Sequence, residues 1–206
     1  MKEIERYIEE QIIPRYTAFD RAHSIDHVRT VIAESLALAE HYDVDRRIVY
    51  VTAAYHDLGL CEGRERHHIV SGEIVRADQQ LCKWFSGDEI ELIACAVEDH
   101  RASSDHEPRS IYGRIVAEAD RVIDPEITLR RTVQYGLANY PQLDIEGQYA
   151  RFCAHLQEKY AEGGYLRLWI PESKNGARLA ELRQLIKNSE LLRHTFERLL
   201  ADELKR

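Results

Sequence analysis

IVYVTAAYHDLG, residues 48–59, decides the fold. Its first eight positions are apolar almost all round, which predicts a central buried helix over 45–58. Asp45 stands near the start of that helix and Leu58-Gly59 at its end, where a glycine can take the left-handed cap conformation. His56-Asp57 closes the apolar run and offers two metal-ligating groups from one short stretch of backbone. A carboxylate there lies at the negative end of the helix dipole, an unfavourable place for an anion. A bound cation would compensate, as would a hydrogen bond from backbone or arginine.

Upstream, Ile25, Val28, Val31, Ile32, Leu36 and Ala39 recur at helical spacing and predict a helix over 24–42, with Ser24 as N-cap. His27 sits on its apolar side, where an unpaired imidazole is costly to bury. His23, four residues earlier, falls on the loop before the helix. Downstream, helices are expected at 66–80, 88–100, 109–123 and 125–137, with Pro108 at a helix start and Pro125 as a break. Ile115, Val116, Ala119 and Val122 mark a buried face that Asp120 flanks, with Arg114 and Arg121 as candidate partners for its carboxylate. Residues 138–147 read as a loop, and 148–162 and 174–204 as two further helices. The connector between them, GGYLRLWIPESKNG, has room for a short extended stretch. No strand series or repeat appears, so the expected fold is all-α, a single domain over 1–206 with a motif core at about 20–124 and a C-terminal helical extension at 140–206.

Composition narrows the partners. The chain has 206 residues and a formal charge of −8, which argues against an extended nucleic-acid ligand. Its four cysteines form no C-x-x-C pair and read as free thiols of a reducing compartment. Residues 1–13 are charged throughout and lack the apolar core of a signal peptide, and no apolar run reaches the ~20 residues of a membrane span. A cytoplasmic location with no membrane partner is the expectation. A homo-oligomer is left open.

Taken together, DxxHSxDHV at 20–28, AAYHDLG at 53–59 and EADRV at 118–122 resemble the HD-domain superfamily of metal-dependent phosphohydrolases. The resemblance covers about residues 20 to 124 and implies a phosphodiesterase-like helical bundle. It implies that His27, His56, Asp57 and Asp120 converge on a divalent cation, with Mn, Fe, Mg, Zn, Co and Ni all compatible. RHHIVSGEIV at 66–75 and AVEDHRASS at 96–104 are similar to segments that carry further histidines in two-metal members. His67 fits that spacing better than His68, and His100 is its counterpart, so one or two ions per chain are open. Asp57 would bridge if there are two. In a one-metal site, His67 or His100 would protonate the leaving oxygen.

The implied activity is hydrolysis of a small phosphate ester, nucleotides included, through a metal-activated water that Asp57 helps to orient. Arg64, Arg66, Arg101 and Arg109 are candidate phosphate contacts, because guanidinium matches phosphate bidentately. Glu62 and Glu65 rank lower as groups that orient the water. Two other readings stand beside the hydrolase: a metal-stabilised nucleotide-sensing or partner-binding module without turnover, and an HD-type di-iron oxygenase.

Overall fold

The computed structural model describes residues 1–20, 23–104 and 106–205. Among them it is all-helical, and no helix is long and apolar enough to cross a membrane. The helices are α1 (Lys2–Tyr7), α2 (Ile25–Leu38), α3 (Arg46–Tyr55), α4 (His67–Ala77), α5 (Gly87–Glu98), α6 (Ile111–Asp120), α7 (Pro125–Asn139), α8 (Ile145–Lys159), α9 (Asn175–Lys187) and α10 (Ser189–Leu204). Two compact units emerge. The first holds Met1–Arg121 and Trp169–Ser173, and the second holds Val122–Leu168 and the chain from Lys174 on. All four cysteines are free.

In the first unit α3 is central. Every residue from Ile48 to Tyr55 is buried, and the helix packs against α2, α5 and α6. Fully buried Val28 and Val31 of α2, Ile93 and Val97 of α5, and Ile115 and Val116 of α6 complete this core. Polar side chains start the helices. Asp45 accepts from the Arg47 N–H at the head of α3, Ser86 and Glu89 form a reciprocal capping box on α5, and Ser110 accepts from the Gly113 N–H on α6.

Several expectations need correction. Gly59 is not a left-handed cap, since positive φ occurs only at Gly63 and Gly163 among the described residues. It is instead a point of close approach: an added Cβ would lie 2.1 Å from the His67 carbonyl oxygen and 2.6 Å from the Ser71 nitrogen. Val122 is 39% exposed because α6 already ends at Asp120, and Arg121 leaves helical geometry with ψ 75°. Residues 1–18, given no element from sequence, are helical turns of three kinds: α1, a π turn at Ile8–Ile12 and a 3-10 turn at Ile13–Ala18. They bury Ile4, Ile8, Ile12 and Tyr16, a stripe at four-residue spacing interleaved with Glu and Arg.

The connector after α8 forms no strand. Its Trp169–Ser173 segment belongs to the first unit, where the buried Glu118 carboxylate accepts from the Trp169 N–H at 2.7 Å and from the Ser173 hydroxyl. In the second unit, the stretch expected as one helix over 174–204 is two. Asn188 is extended, and its side chain caps α10 by accepting from the Leu191 N–H at 3.1 Å. The unit's core includes Leu129, Phe152, Leu156, Leu182, Phe196 and Leu199, with the Phe152 and Phe196 rings 5.1 Å apart.

Candidate metal centre

Three helices of the first unit end at a site residue or within two residues of one. His56 and Asp57 follow the last turn of α3, Asp120 is the final residue of α6, and His100 lies just past the end of α5. Two helices begin on one: His27 is in the first turn of α2, and His67 opens α4. Carboxylates beside the negative ends of helices accumulate negative potential, which favours a cation.

Asp57 is the hub, 3% exposed, with backbone φ −107° and ψ 3°, the bridge region between helix and strand. Its Oδ2 lies 3.1 Å from His56 Nε2 and 3.5 Å from His27 Nε2. Its Oδ1 lies 3.6 Å from His67 Nε2 and 3.5 Å from His100 Nε2. Asp120 Oδ1 joins the Oδ2 side, 3.2 Å from His27 Nε2 and 3.8 Å from His56 Nε2. Two groups of potential ligands therefore meet at one carboxylate: His27, His56 and Asp57, and Asp57, His67 and His100. Both could hold a metal ion.

The chemistry of the donor set fits a divalent cation. His56 Nδ1 donates to the Ala53 carbonyl at 2.8 Å, His67 Nδ1 to the Arg64 carbonyl at 2.8 Å, and His100 Nδ1 to the Val97 carbonyl at 2.6 Å. A carbonyl only accepts, so each Nδ1 carries a proton, and each ring offers a metal its Nε2 lone pair whenever that nitrogen is unprotonated. Yet His67 Nε2 and His100 Nε2 face each other at 3.0 Å, and His27 Nε2 and His56 Nε2 at 3.3 Å. Opposed lone pairs repel unless a proton or a cation lies between them. Around an ion with bonds of about 2.1 Å, neighbouring donors sit about 3.0 Å apart at right angles and about 3.4 Å apart at tetrahedral angles. The observed separations cluster about these values.

The titration behaviour of the two sides differs. Burial alone would lower His27, but hydrogen bonds to Asp120 and Asp57, and their charges, push it up to about 9. For His67, burial and the neighbouring His100 bring it down to about 4. Burial would raise Asp57, but His56 and the hydrogen bonds from His100 and His27 hold it well below the ordinary carboxylate range. Asp120 is likewise down to about 2: burial opposes the shift, and the His27 hydrogen bond and the His56 charge carry it.

The arginines are placed less centrally. Arg64 Nη2 lies 3.1 Å from His23 Nε2, whose ring packs 5.9 Å from that of His27. Arg66 is exposed and 3.9 Å from Glu73, while Arg101 donates to the Glu65 carbonyl at 2.7 Å. The guanidinium of Arg109 meets Glu98, Asp99 and the Cys95 carbonyl rather than the histidine cluster. Glu62 and Glu65 are exposed. Arg114 and Arg121 do not pair with Asp120: Arg114 is 3.5 Å from Glu107, and Arg121 donates to the Ala117 carbonyl. Of the two adjacent histidines, His67 reaches Asp57, and His68 lines a separate depression of about 370 Å3 with Glu98, His106 and Arg109.

Sequence reasoning missed the groups that bond to the turn carrying His56 and Asp57. The Gly59 N–H donates to Ser71 Oγ at 2.8 Å, seating the start of α4, and with it His67, against the His56-Asp57 turn. Tyr16 is fully buried beneath the same turn. The signal for the first was the pair of small residues, Gly59 and Ser71, on facing segments. The second carried none, because a lone tyrosine near the start of a chain looks like any other core residue.

The HD domain family model matches residues 24–123. The fold is similar to that of a predicted HD superfamily hydrolase from an uncultured Thermotogales bacterium, with a TM-score of 0.50 and 19% identity over 76% of this chain and 87% of that one. No curated protein sequence matches the chain.

Proposed function

We propose that this chain, whose residues 24–123 match the HD domain family model, is a metal-dependent phosphohydrolase acting on a small phosphate ester, with nucleotides as the first class to test. The observation that carries the reading is the division of one buried carboxylate between two sets of imidazoles. Such an arrangement suits two cations bridged by Asp57, a layout used to clamp the attacking and leaving oxygens of an in-line displacement.

When bound, a divalent cation supplies Lewis acidity, acidifying water and drawing charge from a phosphate oxygen. His27, His56, Asp57 and Asp120 would hold the first ion, and Asp57, His67 and His100 the second. Carbonyl acceptors at Ala53, Arg64 and Val97 keep three imidazoles in the ligating tautomer. His67, lowered to about 4, is unprotonated at neutral pH, which suits a ligand better than a proton donor. Arg64, exposed beside His23, is the arginine best situated to meet a phosphate oxygen.

The test is phosphate release from a panel of nucleotides by metal-free protein supplied with Mn2+, Co2+, Mg2+, Ni2+, Fe2+ or Zn2+ in turn. Metal-dependent turnover that falls about a thousandfold or more in Asp57→Ala is the expected result. Metal and nucleotide that shift only the melting temperature would instead make the protein a binding module. Oxygen consumption by the iron-loaded form would make it an oxygenase.

A further inference from the structure

We propose that Tyr16 is a positioning residue for the metal centre, its hydroxyl setting the turn that aims Asp57. The inference rests on the reading of Asp57 as a ligand and adds a group that neither the HD motifs nor the matched segment contains, since Tyr16 precedes residue 24.

α3 ends at Tyr55, so the Ala54 carbonyl is among the last four of the helix and has no partner within it. Tyr16, in the 3-10 turn at Ile13–Ala18, donates its hydroxyl proton to that carbonyl at 2.9 Å. The same oxygen accepts from the Asp57 N–H at 3.4 Å. One hydroxyl thus ties the end of α3 to the first residue beyond His56, across the point where the backbone leaves helical geometry. The turn is closed on its far side by the Leu60 N–H donating to the Asp57 carbonyl at 3.0 Å.

The place is closed to solvent. Tyr16, Ala54 and His56 are each 0% exposed, so losing the hydroxyl would leave a buried carbonyl and a buried N–H with nothing to bond. The ring is fixed as well: it meets Phe19 edge-on at 5.4 Å and lies 6.4 Å from the His56 imidazole. Relaxation of the turn would act on both sides of the centre together, because both oxygens of Asp57 are engaged.

The experiment compares wild type, Tyr16→Phe and Asp57→Ala as full-length metal-free proteins titrated with Co2+. It follows the visible d–d absorption, the affinity, and the hydrogen exchange of the Asp57 amide. Tyr16→Phe is expected to weaken Co2+ binding about 10- to 100-fold, as loss of an outer-shell partner typically does. It should also change the d–d band and speed exchange at Asp57. Wild-type affinity and band in Tyr16→Phe would overturn the inference, even if the melting temperature fell, because a purely structural role moves only the latter. Should Tyr16→Phe not fold, 4-fluorophenylalanine at position 16 fills the space of the hydroxyl without donating a hydrogen bond, and wild-type affinity and band would overturn the inference equally. Retention of the Co2+ band by Asp57→Ala would instead overturn the reading of the ligand itself.

Discussion

The two sides of Asp57 are furnished differently. Facing Oδ2 are two imidazoles and a second carboxylate, Asp120, whereas Oδ1 meets two imidazoles alone. The first side draws a proton in the absence of metal, with His27 up to about 9, and the second sheds it, with His67 down to about 4. The difference teaches that one shared carboxylate can serve two unlike sites. The Asp120 side should bind a cation tightly but in competition with a proton, and the His67 side weakly but without that competition.

Breaking each side separately gives the largest contrast. Asp120→Ala removes the carboxylate private to the first side and should abolish high-affinity binding. His100→Ala should leave one tight ion and remove the second, read as a fall in stoichiometry by native mass spectrometry. Equal losses from both variants would mean that the sides are not distinct.

Proton linkage sharpens the same contrast at lower amplitude. Below about 9, His27 must give up a proton before it ligates, and His56 is raised too, so first-ion affinity should rise at least about tenfold per pH unit between 6.5 and 8.5. Second-ion affinity should be nearly flat over that range, because His67 is already unprotonated well above 4. Calorimetry in buffers of different ionisation enthalpy reads this as more protons released by the first ion, from His27 and His56, than by the second. Proton release by the second ion instead would reverse the assignment.

Smaller still is the effect on stability. His27 is raised from 6.5, so its stabilising contribution to the metal-free protein is complete below pH 6.5 and is lost as pH rises through about 9. The metal-free melting temperature should therefore fall between pH 7 and pH 10, and a bound cation should flatten the decline. A metal-free melting temperature that held steady over this interval would argue that His27 is not proton-bound.

What was legible in the sequence follows the same division between side-chain identity and direction. The buried run of α3 and the four motif positions were readable because apolar periodicity and ligating residue types are both written in the letters. The N-terminal turns were not, since Ile4, Ile8, Ile12 and Tyr16 alternate with charged residues that dominate the composition of the segment. The break at Asn188 left no trace, because Leu185, Leu192 and Leu199 keep a seven-residue spacing across it and continue one helical face. Arg109 was counted among phosphate contacts by proximity in sequence, but proximity does not say where a guanidinium points, and this one is engaged by Glu98 and Asp99. Gly59 was recognised as special for the wrong reason, a backbone angle rather than the absence of a Cβ against α4.

The most direct measurement is anomalous diffraction at the manganese edge from crystals of the Mn2+-loaded protein. Two peaks are predicted on opposite sides of the Asp57 carboxylate, one among His27, His56 and Asp120 and the other between His67 and His100. A single peak, or none within bonding distance of Asp57, would contradict the shared-carboxylate account.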